Sequence, residues 1–130
     1  MKIKYSKVFV NDQDKALKFY TETLGFVKKG DVRAEGYRWL TVVSPENKNG
    51  TELILEKNDN PAAKAFQKAM FEQGLPAANF VVKDVRAEYA RLAGLGVKFT
   101  VEPTDYGDIQ ATVAVFDDTA GNLIQIQKTA

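Results

Sequence analysis

The chain begins with an alternation. Ile3, Tyr5 and Lys7 interleave with Lys4, Ser6 and Val8 ahead of Phe9 and Val10, which predicts a strand near residues 2–10. The period then lengthens. Ala16, Leu17, Phe19, Tyr20 and Leu24 recur at helical spacing behind Asn11 and Asp12. Either of those two can cap a helix by offering a side-chain oxygen to its unpaired N–H groups, and Gly25 is placed to stop it. Residues 26–33 read as a strand. Residues 37–43, rich in aromatic and β-branched side chains, read as a stronger one. A polar turn at 44–50 leads to a further strand at 51–56.

Asn60-Pro61 opens a second helix, with a capping side chain followed by proline at the first helical position. Ala62, Ala65, Phe66, Ala69 and Met70 form its expected apolar face, and Gly74 ends it. This helix, about residues 60–74, reads as a link between two halves, because the pattern then starts again. Residues 78–82 are a strand, Asp84 a cap, 85–95 a helix with Val85, Tyr89, Leu92 and Ala93 inward, and Gly96 its stop. Residues 97–101 form a strand, Glu102-Pro103 a break, and two strands near 109–116 and 122–128 close the chain. The repeat is also visible in the residues themselves. Val10-Asn11-Asp12 precedes Leu24-Gly25-Phe26 as Val82-Lys83-Asp84 precedes Leu95-Gly96-Val97. Duplicated units of this kind pack as two βαβββ modules, about residues 2–57 and 77–128, with mixed sheets and helices on one face.

Composition narrows the chemistry. A length of 130 residues and a hydrophobic fraction of 45% suit one globular domain, residues 1–130. A net charge of +1 with no basic block gives no electrostatic reason to expect nucleic acid or an anionic membrane. The first residues lack the apolar stretch of a secretory signal, and no run approaches a membrane span. The expected location is therefore the cytoplasm. There is no cysteine and no histidine. This excludes disulfides, thiol chemistry, a Ser-His-Asp triad and a two-His-one-carboxylate iron site, and leaves Asp, Glu, Lys, Tyr and Arg to carry any reaction.

With these residues in view, the chain resembles the vicinal oxygen chelate superfamily of glyoxalase I, extradiol dioxygenases and bleomycin-binding resistance proteins. The resemblance rests on residues 8–12 with Ala16 and Phe19-Tyr20, on Leu24-Gly25-Phe26, and on Val82-Lys83-Asp84 with Leu95-Gly96-Val97. Glu102-Pro103-Thr104, Phe116-Asp117-Asp118 and Gly121-Asn122-Leu123-Ile124 complete it. It implies an α+β fold, two βαβββ modules forming a cup-shaped mixed sheet around a cavity, and a homodimer. Catalytic members place up to four metal ligands on the cavity strands. Carried over, those positions fall on Tyr5, Glu52, Ala78 (with Asn79 next to it) and Gln125. One carboxylate among neutral oxygens is a poor transition-metal site, so no metal and no other cofactor is expected, although hard ions that accept oxygen and water remain compatible.

The candidate ligand-binding residues are Tyr5, Tyr37, Trp39, Glu52, Tyr106 and Gln125. Tyr37 and Trp39 share one strand face, as an aromatic wall for a planar ligand or as core packing or a dimer contact. Glu52, with Ile54 and Glu56 on one face, is the candidate catalytic carboxylate if that face lines the cavity. Tyr5 and Gln125 would add hydrogen bonds, or form a plain polar plug. Tyr106 reads as a lid on a loop at the cavity mouth, or as part of a simple turn. The leading function is metal-independent binding or sequestration of a small molecule. The alternatives are a lyase, isomerase or dioxygenase using a weak metal or Glu52, and a protein scaffold whose cavity is filled.

Overall fold

The computed structural model describes residues 1–129. It is α+β, with two four-stranded mixed sheets, each paired with its own helix, and the chain divides into two compact units, Met1–Ala65 and Phe66 onward.

In the first unit β1 (Tyr5–Val10) leads through Asp12 into α1 (Gln13–Lys18). The Asp12 carboxylate accepts from Lys15 N–H at 3.0 Å, the N-cap anticipated from the sequence. The helix then widens into a π-turn over Phe19–Thr23, which buries Phe19 and Tyr20 side by side. β2 (Val27–Ala34), β3 (Tyr37–Val43) and β4 (Glu52–Lys57) complete a sheet in the order β1-β4-β3-β2, with β1 parallel to β4 and the other pairs antiparallel. Its register sorts the side chains into two faces. Val8, Val10, Leu40, Val42 and Leu55, all buried, lie on the side of α1. Tyr5, Trp39, Thr41 and Glu52 alternate with them on the other side.

In the second unit β5 (Ala78–Val81), α3 (Val85–Gly94), β6 (Phe99–Tyr106), β7 (Ala111–Asp117) and β8 (Leu123–Thr129) form the sheet β5-β8-β7-β6, again with one parallel pair, β5 with β8. Asp84 caps α3 by accepting from Ala87 N–H at 3.0 Å, as Asp12 does for α1. Tyr89, Phe99 and Phe116 stack edge to face at centroid distances of 4.7 and 5.5 Å, tying α3 to β6 and β7.

Three expectations are corrected. Glu102-Pro103 does not break the strand: β6 runs from Phe99 to Tyr106, and the pairing with β7 skips from Val101 to Thr104. Proline cannot donate to the ladder, and an edge strand with a bulge accommodates it. Tyr106 therefore ends a strand rather than sitting in a loop, and a 3₁₀ turn over Gly107–Ile109 precedes β7, which starts at Ala111. The apolar face expected on α2 (Pro61–Glu72) is not the buried one. Phe66 is 55% exposed, while Ala63 and Gln67 are buried. In the second unit Gln67 donates to the Ala120 carbonyl and to Asn122 Oδ1, both at 3.2 Å, so a hydrogen-bonding residue decides which side of the helix turns inward.

Candidate functional site

Strand register builds the first cluster. Tyr5 on β1 stands opposite Glu52 on β4, which stands opposite Val43 on β3. Trp39, further along β3 on the same face, leans to meet Tyr5 edge to face, with ring centroids 5.3 Å apart. The indole finds room because the neighbouring strand carries Gly30. A Cβ there would stand 3.1 Å from Trp39 Nε1 and 3.0 Å from Thr41 Oγ1.

Glu52 is 7% exposed and is held from two sides. Thr41 donates its hydroxyl to Glu52 Oε1 at 2.6 Å and accepts from Gly30 N–H at 3.0 Å. The Lys4 ammonium lies 3.6 Å from Oε2 and also donates to the carbonyls of Asn49 and Gly50, at 3.2 and 3.0 Å. A buried carboxylate needs such partners. The result is a fixed anion beside an aromatic pair of which Tyr5 is half exposed.

The other predicted residues stand elsewhere. Tyr37 donates its phenol to Glu56 Oε2 at 2.8 Å. That bond, with partial burial and the Glu56 charge behind it, raises the phenol above its ordinary value of 10.0. Tyr37 and Glu56 line an open groove of about 810 Å³ at the tip of the β2–β3 hairpin, together with Asp14, Arg38 and Asp59. Tyr5, Trp39 and Glu52 do not line it. Tyr106 and Gln125 belong to the second unit. There the register corrects the carried-over position: Ala78 pairs with buried Ile124, and Asn79 is the residue opposite Gln125. Gln125 Nε2 donates to Gln127 Oε1 at 3.1 Å, and Asn79 Nδ2 donates to the same oxygen.

Thr41, Gly30 and Lys4 were not singled out from the sequence, and Asn79 entered only as the neighbour of Ala78. Period-two alternation places Thr41 on the face of Trp39, but its role depends on a cross-strand contact that no local pattern encodes. In the first unit Tyr5 and Glu52 offer one phenol and one carboxylate that is already engaged, and in the second Asn79 and Gln125 offer two carboxamides. Neither donor set fits a zinc, nickel or iron ion. Among the described residues no three His, Cys, Asp or Glu side chains gather into a metal cluster, and no helix is long and apolar enough to cross a membrane.

On the α1 side of the first sheet, Arg38 is clamped. Its Nε and Nη2 donate to the two oxygens of Asp31 at 2.9 and 3.0 Å, and its Nη1 donates to Asp14 at 2.7 Å. The Arg38 hydrogen bond, opposed in part by burial and reinforced by the charges of Arg38, Lys28 and Arg33, pulls Asp31 from 3.8 down to about 2. A carboxyl depressed on folding contributes stability that is complete above its unfolded value and is lost as pH falls through its folded value. Urea unfolding followed at pH 5, 3 and 2 is expected to show stability draining between about 4 and about 2. Asp31→Asn is expected to remove that contribution and flatten this part of the profile.

The chain belongs to the Glyoxalase/Bleomycin resistance protein/Dioxygenase superfamily, whose sequence model matches residues 2–126. It is 58% identical over 126 residues to the uncharacterized protein YurT of Bacillus subtilis (strain 168), covering 97% of this chain and 98% of that one. Among solved structures, UcmS2 is 30% identical with a TM-score of 0.85, covering 99% of this chain and 98% of UcmS2. TnmS3, an antibiotic binding protein from Streptomyces sp. CB03234, is 28% identical with a TM-score of 0.78, covering 100% of this chain and 97% of TnmS3.

Proposed function

We propose that the chain binds and sequesters a small organic molecule without a transition metal. One observation carries this reading: Tyr5 and Trp39 form an edge-to-face pair beside Glu52, a carboxylate anchored by Thr41 and Lys4. An apolar ring surface with a few fixed polar groups is the usual make-up of a small-molecule site. The antibiotic-binding neighbour TnmS3 supports the class of ligand. The poor fit of either donor set to a transition metal supports the absence of a metal from binding. The same reading takes the acting form to be a homodimer in the cytoplasm, as the family resemblance implies.

Native mass spectrometry of the full chain tests it, after a chelator wash and incubation with a panel of planar aromatic antibiotics. The expected result is a dimer mass carrying one small-molecule adduct per chain. Trp39→Ala is expected to weaken that adduct by about tenfold, the scale of one aromatic contact. A bare chain against every member of the panel would overturn the reading.

A further inference from the structure

We infer that the first unit carries a binding site for an organic ammonium ion in the groove at the tip of the β2–β3 hairpin, with Glu56 as its counter-charge and the Tyr37 ring beside it. This site is separate from the surface of Tyr5, Trp39 and Glu52, none of which lines the groove.

The groove lies where the first sheet forks. β3 pairs with β4 only as far as Thr41 and Ile54. Beyond that point β2 stays with β3 to Tyr37, and β1 stays with β4 to Lys57, so the sheet continues as two separate arms. Gln13 sits at the fork. Its Nε2 donates to the Arg38 carbonyl at 3.2 Å and to the Leu55 carbonyl at 2.8 Å, which bridges the two strands where their own ladder has ended. Glu35 and Gly36, with φ of 49° and 79°, form the two-residue turn that sets the twist of the β2–β3 arm. The groove's volume of about 810 Å³ is that of a small-molecule site. Tyr37 on one arm donates to Glu56 on the other at 2.8 Å.

The charges lining the groove do not all cancel within it. Arg38 is taken by Asp31 and Asp14, and Lys57 lies 3.6 Å from Asp59. Arg33 reaches Asp14 at 4.0 Å, and Asp12 caps α1. Among the described residues no cation stands within ion-pairing distance of Glu35 or Glu56. Glu35 is exposed at the hairpin tip, where water solvates it. Glu56 is partly buried, and the Tyr37 hydroxyl answers only one of its oxygens. A carboxylate withdrawn from water without a counter-charge favours a cation that can donate to it. An ammonium group can donate to the open oxygen while its carbon substituents lie against the Tyr37 ring, which is 47% exposed. One carboxylate and one phenol are too few ligands for a bare metal ion, and the width of the groove suits an organic group.

The test titrates the full chain, labelled with ¹⁵N, with benzylamine and with benzyl alcohol, which has the same ring and reach but no charge. Benzylamine is expected to shift the backbone amide signals of Gly36, Glu56 and Lys57 saturably, and to bind about fivefold more tightly than benzyl alcohol. Added salt is expected to weaken it, because solvent reaches the ion pair. Glu56→Gln keeps an oxygen for the Tyr37 hydroxyl and loses the charge, and it is expected to weaken benzylamine by about fivefold. Glu35→Gln is expected to change little. Equal affinity for the two probes, benzylamine binding unchanged by Glu56→Gln, or an equal loss in Glu35→Gln would overturn the inference. Trp39 emission with the antibiotic panel reads the other surface, so failure here and failure of the sequestration reading are told apart.

Discussion

Phe116→Ala is expected to cost about 3–5 kcal/mol of stability, the range for truncating a fully buried aromatic side chain. Phe116 has no exposed surface, and its ring meets Phe99, which in turn meets Tyr89. It is therefore the inner member of the row of rings by which α3 holds β6 and β7. Removal leaves a cavity where the surroundings collapse only in part. Tyr89→Ala, at the partly buried outer end of the row, is expected to cost clearly less. Urea unfolding followed by circular dichroism measures both, and a Phe116→Ala loss no larger than that of Tyr89→Ala would contradict the account of the second core.

Asp118→Ala should destabilise by about 3 kcal/mol, because it strands polar donors that water does not reach. Asp118 is completely buried in the turn between β7 and β8. One of its oxygens accepts from Ala120 N–H at 2.8 Å and Asn122 N–H at 2.9 Å, and the other accepts from Asn122 Nδ2 at 2.8 Å. Asn122 and the Ala120 carbonyl in turn receive Gln67 from α2. Gly121, inside this turn, has φ +102°, and a Cβ there would lie 2.7 Å from the Gln67 amide nitrogen, so the loop is shaped to accept that side chain. Asp118→Asn keeps one oxygen and is expected to lose less than Asp118→Ala. The same unfolding measurement decides, and equal losses in the two variants would show that the acceptor pattern is not what organises the turn.

How much of this was legible in the chain varies with the range of the interaction. The three helix starts were, because a cap lies within three residues of the group it satisfies: Asp12 meets Lys15, Asn60 meets Ala62, and Asp84 meets Ala87. The strands that alternate or carry β-branched runs were legible for the same reason, and the repeated Val-x-Asp signature pointed to two like modules. The reading failed where a distant partner decides. On α2 the apolar spacing around Phe66 promised a buried face, but the bonds of Gln67 to a turn more than fifty residues away set the orientation. At Pro103 local chemistry predicted a break, and edge position with a bulge allowed continuity. In the candidate site, Tyr5, Trp39 and Glu52 were legible as residue types on strands. Their grouping, the hydroxyl of Thr41 on Glu52 and the choice of Asn79 over Ala78 follow from cross-strand register, which a single strand does not specify.

The measurement that bears most directly on the central claim is a titration of Trp39 fluorescence with planar aromatic antibiotics, run in EDTA and again with added nickel or zinc. Trp39 is the single tryptophan and lies within the proposed site, so its emission reports on that surface alone. The account predicts saturable quenching with the same affinity in both conditions. Quenching that requires the added metal and vanishes in EDTA would contradict it.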